Sequence, residues 1–245
     1  MNNDNKLTIL SHISELRQRL IKSVIAIAIT TILSFIFAEH IFTILILPAE
    51  GINLIYIEMT EMIGTYMMVS LTSGIILAMP FLIYHLIMFV SPALNPKEKR
   101  GVYLIIPWVA VMFAGGVVFG YFILVPPATH FLITFGSDIA TPQIKVGNYI
   151  SIVSRLLMAT GFVFELPVIT TFLSRIGVIN AKWLAGKRKL AIIFAFVLAA
   201  IVTPTIDPVN QILVAVPLII LYEMSIWLAK IFQRNKSPAV TPVSP

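Results

Sequence analysis

Apolar residues occur in six long runs along this chain, and short polar segments separate them. A helix that crosses the hydrocarbon core of a bilayer needs roughly 20 predominantly apolar residues. The fifth run is short, since as a helix it extends only about 21 Å. The pattern predicts six transmembrane helices, at 20–37, 62–90, 102–125, 149–173, 190–203 and 209–228.

Positive charge lies on one side of this predicted bundle. Every Lys and Arg except Lys145 and Arg155 falls before residue 23, in the segments 91–101 and 174–189, or after the last run. Because cytoplasmic loops carry an excess of Lys and Arg, both termini are predicted to be cytoplasmic. That arrangement needs an even number of spans, which favours counting the short fifth run. We expect one transmembrane domain, 1–236, and a Pro-rich, disordered cytoplasmic tail, 237–245.

Composition agrees with a lipid solvent and excludes several function classes. Apolar residues make up 58% of the chain and charged residues 11%, with a net charge of +6. The cations flank apolar runs, so we do not interpret them as a nucleic-acid surface. Cysteine is absent, the four histidines are far apart in sequence, and no zinc-protease, P-loop or serine-hydrolase motif occurs. The sequence therefore predicts no enzyme, no metal and no cofactor.

Glu165 is the most informative single residue, because it lies inside the fourth apolar run. A carboxylate at that depth costs a few kcal/mol and marks a functional site by default. It provides either a polar floor for a substrate or partner helix, or a structural hydrogen bond that fixes packing. Pro167 is expected to kink the helix. Arg155, about 15 Å away along the axis, is too distant to be its partner.

Two further carboxylates lie on the predicted cytoplasmic side, amid positive charge. Glu15 is spaced to pair with Arg19 one helical turn later. Glu98 follows Asn95 and Pro96 in a pattern close to a capping box. Both acids have this structural explanation, and both are available to bind a cationic ligand. Glu223, near a membrane face, is better explained by snorkelling or an interhelical bond.

At these residues the sequence resembles the TatC family, the signal-peptide receptor subunits of the twin-arginine protein translocase. The matching pieces follow the family's order over most of the chain. They are His12-Ile13-Ser14-Glu15-Leu16-Arg17-Gln18-Arg19-Leu20, Pro48, Phe89-Val90-Ser91-Pro92-Ala93-Leu94 with Lys97-Glu98-Lys99-Arg100, Phe164-Glu165-Leu166-Pro167, and Thr203-Pro204 with Asp207 and Gln211.

The resemblance implies an all-α, glove-shaped six-helix bundle in the bacterial inner membrane, with a concave groove. It implies that Glu15 and Glu98 receive the two arginines of a signal peptide carried by a folded precursor, with Phe89, Arg17 and Arg19 beside them. An arginine fork matches a carboxylate bidentately, whereas lysine is a point charge.

The resemblance also assigns roles deeper in the bundle. Glu165 and Pro167 belong to the groove, where the acid meets a polar residue of a partner subunit. The docking patch for single-span TatA/TatB-type subunits comprises Thr203, Gln211 and Asp207, while Pro48, Asn95 and Pro96 are structural. Further expected partners are membrane lipid and other copies of the chain in a larger receptor complex, with export driven by proton-motive force.

Two hypotheses remain beside the receptor. One is a proton- or ion-coupled secondary transporter with Glu165 as the coupling site, although such folds usually show internal repeats and none is evident. The other is mechanical and compatible with a receptor: a short fifth helix thins the bilayer locally.

Overall fold

The computed structural model describes residues 3–49, 54–90, 96–134, 142–175, 177–203 and 208–232, and within these it leaves undescribed the side chains of 3–12, 90, 96–105 and 210. This part of the chain is almost entirely helical. The helices are α1 (Asn3–Ile36), α2 (Ala38–Ile46), α3 (Glu61–Val90), α4 (Pro96–Phe119), α5 (Val125–Thr134), α6 (Val146–Phe164), α7 (Leu166–Arg175), α8 (Ala181–Gly186), α9 (Arg188–Val202) and α10 (Pro208–Phe232).

Among the described residues, five helical segments are long and apolar enough to cross a membrane. They are Ile13–Ile36, Glu61–Phe89, Ile106–Thr134, Val146–Arg175 and Gln211–Phe232. The prediction of an all-α membrane protein is confirmed. Helix α9 has 15 residues and extends about 22 Å, so the sixth span and the orientation stay predictions.

The helices begin and end at different residues from those that the apolar runs indicate. Helix α1 starts at Asn3, where the run starts at Leu20, because the charged turns before the run continue the same helix. Helix α4 starts at Pro96 and not at 102. It continues through a π-helical turn, Gly120–Leu124, into α5 and reaches Thr134. Pro126 and Pro127 lie near the start of α5, and the helix continues through them to Thr134.

Glycines allow the central helices to pack closely. A Cβ on Gly116 would lie 2.7 Å from the carbonyl oxygen of Thr160 and 2.9 Å from the Cα of Gly161. Gly116 and Gly120 are four residues apart, the spacing by which small residues let membrane helices approach. Helix α6 is held in this way against α4, and its buried residues form the centre of the main hydrophobic core.

Helix α1 packs antiparallel against α3 and little else, since only 6% of its membrane window is buried. The contact between Gly74 and Thr31 fixes the register, and the hydroxyl of Thr30 donates to the carbonyl of Gly74 at 2.8 Å. From that contact, the N-terminal part of α1 and the C-terminal part of α3 extend toward the same end of the bundle. We call it the basic end, because residues 182–189 and the end of α10 also lie there.

The opposite end carries a loop cap, which comprises α2, the turn Leu47–Ala49 and the strands β1 (Leu54–Ile55) and β2 (Ile144–Lys145). The strands pair in parallel, with Leu54 opposite Ile144 and Ile55 opposite Lys145. Two tyrosine hydroxyls join the cap to the bundle. Tyr121 donates to the carbonyl of Ile44 at 2.6 Å, and Tyr149 donates to that of Leu45 at 2.9 Å.

Candidate functional site

At the basic end, Glu15 pairs with Arg19 within α1. Arg19 donates from Nε to a carboxylate oxygen of Glu15 at 3.0 Å and from Nη2 to the same oxygen at 2.5 Å. The predicted pair one turn apart is confirmed. A third of the Glu15 side chain stays exposed, so solvent reaches the acid, and Arg17 lies on the exposed surface of the same helix.

Helix register brings Phe89 to the level of Glu15. From the contact of Gly74 with Thr31, Phe89 lies about 22 Å along α3 and Glu15 about 24 Å back along α1. Phe89 is half-buried. An acid and an aromatic side chain from separate parts of the sequence therefore lie at the same depth.

Several predicted site residues lie outside the described part of the chain. They are Asn95, Asp207 and the side chains of Pro96 and Glu98. Helix α4 begins at Pro96, as expected for a proline at a first helical position. Pro48 lies half-buried in the turn Leu47–Ala49 of the loop cap.

Glu165 lies at a break in the fourth predicted span. Helix α6 ends at Phe164 and α7 begins at Leu166. Pro167 has no N–H to continue the helical ladder, which accounts for this interruption, and the size of the kink stays a prediction. Arg155 and Arg175 are each ten residues, or about 15 Å, from Glu165. Glu165 therefore lies inside the apolar segment Val146–Arg175, about 15 Å from its nearer end.

The carboxylate of Glu165 is enclosed by the bundle. The residue is 1% exposed, and neither carboxylate oxygen has a hydrogen-bond partner among the described residues. Arg155 instead donates to the carbonyl and hydroxyl oxygens of Ser151, at 3.2 and 3.0 Å. It is therefore not the partner of Glu165, as the spacing indicates. A buried polar group without a partner is rare in native structures and requires an explanation.

An apolar groove of about 630 Å³ runs beside this break. Its walls come from α8, α9 and α10, and its floor includes Val163 and Leu166, on either side of the break. Glu165 is not among its lining residues and is buried instead. The resemblance implies that Glu165 lines a groove. In this structure Val163 and Leu166 line the apolar groove, and Glu165 itself does not.

Polar residues near the tip of α9 and α10 bond to their own chain. The buried Thr203 donates to the carbonyl of Ala199 at 2.8 Å, and the Gln211 amide donates to the carbonyl of Phe196 at 3.2 Å. At the other end of the same hairpin, the Arg188 guanidinium donates two hydrogen bonds to the Glu223 carboxylate, of 2.6 and 3.0 Å. The interhelical bond predicted as one explanation of Glu223 is present.

Sequence reasoning gave no role to Glu61 or His85. Glu61 accepts from the backbone N–H groups of Ile57 and Gly147, at 3.0 and 3.2 Å, so it ties the start of α3 to the start of α6. His85 is 8% exposed, lies edge-on to Phe81 at 4.3 Å between ring centroids, and has no bonded ring nitrogen among the described residues. The bond from Gly147 joins segments that no local motif relates, whereas Phe81 and His85 are one helical turn apart in α3.

The long apolar helices with an acid buried at mid-membrane depth define a class: a multi-span helical membrane protein. Comparison with known proteins narrows the class. The family model described as Sec-independent protein translocase protein (TatC) matches residues 11–217. The chain belongs to the TatC family.

Relatives and solved structures agree over nearly the full length. The chain is 38% identical to the "Sec-independent protein translocase protein TatC" of Carboxydothermus hydrogenoformans, over 95% of this chain and 97% of that protein. It is 39% identical to that of Aquifex aeolicus, over 92% and 95%. A crystal structure titled "Twin Arginine Translocase Receptor- TatC" superposes with a TM-score of 0.82 and 39% identity, covering 91% of this chain and all of that one.

Membership fixes the general function. The protein is a multi-span core subunit of a bacterial Sec-independent protein translocase, and it is a transport component rather than an enzyme. The translocase prediction is confirmed, in preference to the small-solute transporter that Glu165 alone left open.

Proposed function

We propose that the protein is the receptor that binds twin-arginine signal peptides of folded precursors at its cytoplasmic face. It then gathers TatA/TatB-type single-span subunits for export driven by proton-motive force. The observation that carries this proposal is the partly exposed carboxylate of Glu15 at the depth of Phe89, on a chain whose solved relative is titled a twin-arginine translocase receptor.

The proposed peptide site comprises Glu15, Glu98 and Phe89, with Arg17 and Arg19 beside them. In the peptide-free state Arg19 neutralises Glu15. Pairs of this kind on an exposed helix contribute only a few tenths of a kcal/mol, so an incoming arginine can replace Arg19. Charge-assisted bonds from a planar guanidinium are both stronger and more selective, which favours arginine over lysine in the peptide.

The proposed location is the bacterial inner membrane, with both termini in the cytoplasm. The concentration of Lys and Arg at the basic end supports this orientation. It places Glu15 on the side where precursors are synthesised, and the loop cap on the outer side.

Partner docking is proposed at two places in the membrane. Glu165 lacks a hydrogen-bond partner among the described residues. A partner helix that separates α6 from α7 at Glu165 supplies a donor to its carboxyl group. Thr203, Gln211 and Asp207 form the second contact, since polar groups promote helix association in lipid. Other copies of the chain join through the same receptor complex.

Site-specific crosslinking tests the peptide site. A photoreactive residue placed beside Glu15 is expected to capture a twin-arginine peptide on the full chain in membranes. Glu15→Ala together with Glu98→Ala is expected to abolish capture. Glu39→Ala with Glu58→Ala, which removes two acids at the loop-cap end, is the matched control and should capture normally. Intact capture by the first double variant contradicts the site.

The short α9 supports a mechanical part of the proposal. Its length of about 22 Å falls short of a core of about 30 Å, and mismatch of this kind thins the bilayer. Inserting four apolar residues into α9 is expected to impair transport and to leave peptide capture unchanged. Transport at the normal rate after the insertion dismisses the thinning.

A further inference from the structure

The apolar groove beside α9 has one charged residue in its lining. Lys187 lies where α8 meets α9, and the remaining walls are dominated by bulky apolar side chains such as Leu190 and Phe194. These two are 58% and 64% exposed, so the groove is open to the membrane. One end is cationic and the rest is hydrocarbon.

Two interhelical contacts hold the cationic end in place. The hydroxyl of Tyr222 donates to the carbonyl of Leu184 at 2.8 Å, and Arg188 is bound to Glu223. The neighbouring Arg188 is thus neutralised, whereas Lys187 forms no ion pair among the described residues. Its ammonium group lies over the ring of Trp183, 6.0 Å from the ring centroid.

This pattern matches an amphiphile better than a protein helix. Helices associate in membranes through small residues and shared hydrogen bonds, and the groove offers mainly bulky apolar groups. A Lys beside a Trp at the end of a membrane helix is typical of the interface where lipid headgroups lie. Basic pockets between helices bind anionic headgroups.

We propose that this groove is a binding site for an anionic phospholipid. The headgroup phosphate binds Lys187 beside Trp183, and one acyl chain lies along Leu190 and Phe194 toward Val163 and Leu166. The bound chain then covers the surface next to the helix break, and it links α8 and α9 to α6 and α7. The site is independent of the peptide-binding residues of α1 and α3.

Lipid binding to the purified full chain tests the proposal, with native mass spectrometry to count bound lipid and thermal unfolding to follow stability. Dioleoylphosphatidylglycerol is expected to bind and stabilise more than dioleoylphosphatidylcholine. Lys187→Gln should weaken phosphatidylglycerol binding about fivefold, the effect of one basic residue near a charged headgroup, and leave phosphatidylcholine unchanged. Ala191→Phe, in the groove wall, should weaken binding of both lipids.

Lys182→Gln is the matched control, since it removes an exposed positive charge of α8 that does not line the groove. It should bind phosphatidylglycerol normally. Equal losses in the two lysine variants would indicate diffuse surface charge and overturn the site. So would equal binding of the two lipids, normal binding by Ala191→Phe, or the same stabilisation by inorganic phosphate, which would indicate a site for a free anion.

Discussion

A carboxylate beside the loop cap and a carboxylate in the middle of the bundle differ in their hydrogen bonding. Next to the cap, at the start of α3, both oxygens of Glu61 accept backbone N–H groups, one from Ile57 and one from Gly147. In the middle, both oxygens of Glu165 are buried and unbonded among the described residues. The cap completes its polar contacts from its own chain, whereas the middle holds a polar group that these residues leave without a bond.

That difference separates a structural acid from a functional one. Hydrogen bonds to a charged group stabilise a fold, and a buried polar group left unpaired costs about 1–3 kcal/mol or more. A fold that retains such a cost at mid-membrane depth has a use for the group outside its own packing. Glu61 is therefore expected to matter for stability and Glu165 for assembly and transport.

The largest expected effect comes from Glu165→Leu. Replacing a buried, unbonded carboxyl by an apolar side chain of similar size removes a desolvation cost, so stability should rise by about 1–3 kcal/mol. Export of a twin-arginine reporter should fall by at least about tenfold, because no acid remains for a partner. Thermal unfolding and a cellular export assay measure the two.

Glu165→Gln is the matched control for this variant. It keeps the shape and an acceptor oxygen, so export should lie between that of the wild type and that of the leucine variant. Wild-type export by Glu165→Leu would show that the buried acid is only a packing feature.

Substitution of Glu61 is expected to change stability by a smaller amount and in the opposite direction, that is, to lower it. Glu61→Gln keeps one acceptor oxygen and loses the charge, so one of the two backbone bonds weakens and the midpoint of thermal unfolding should fall. Glu58→Gln is the control, because Glu58 is 70% exposed and its contact with Lys145 is 3.8 Å, a kind of pair that contributes little. An unchanged midpoint for Glu61→Gln would remove the contrast between the two regions.

The smallest effect is expected for Tyr149→Phe, which removes one neutral hydrogen bond between α6 and the cap. The loss should be about 1 kcal/mol, with normal export, since the phenyl ring keeps its packing. Hydrogen exchange at the Leu45 region, measured by mass spectrometry, should rise in this variant. Exchange at the same rate as in the wild type would show that the cap is held by other contacts.

The sequence predicts the membrane helices and their chemistry better than their ends. The apolar run at 62–90 is nearly the whole of α3, because polar residues flank it. Helix α1 extends to Asn3, beyond the apolar run. The run indicates only which part of a helix lies in the hydrocarbon core, and the helix can continue outside it. The acid at 165 and the proline at 167 are visible as local exceptions in an apolar run.

Contacts between distant segments could not be predicted in this way. The pairing of Leu54 with Ile144, and the bond from Gly147 to Glu61, join residues that no local pattern relates. The four-residue spacing of Gly116 and Gly120 is present in the sequence, but its partner surface on α6 emerges only from packing. The burial of Glu165 likewise depends on its neighbours and not on its position in the run.

Equilibrium binding of signal peptides to the full chain in nanodiscs tests the receptor account most directly. The account predicts that a twin-arginine peptide binds at least about tenfold tighter than its twin-lysine analogue, because only guanidinium matches a carboxylate bidentately. Glu15→Gln with Glu98→Gln should abolish that preference, and Glu165→Leu should retain it. Equal affinity of the wild-type protein for the two peptides would contradict the account.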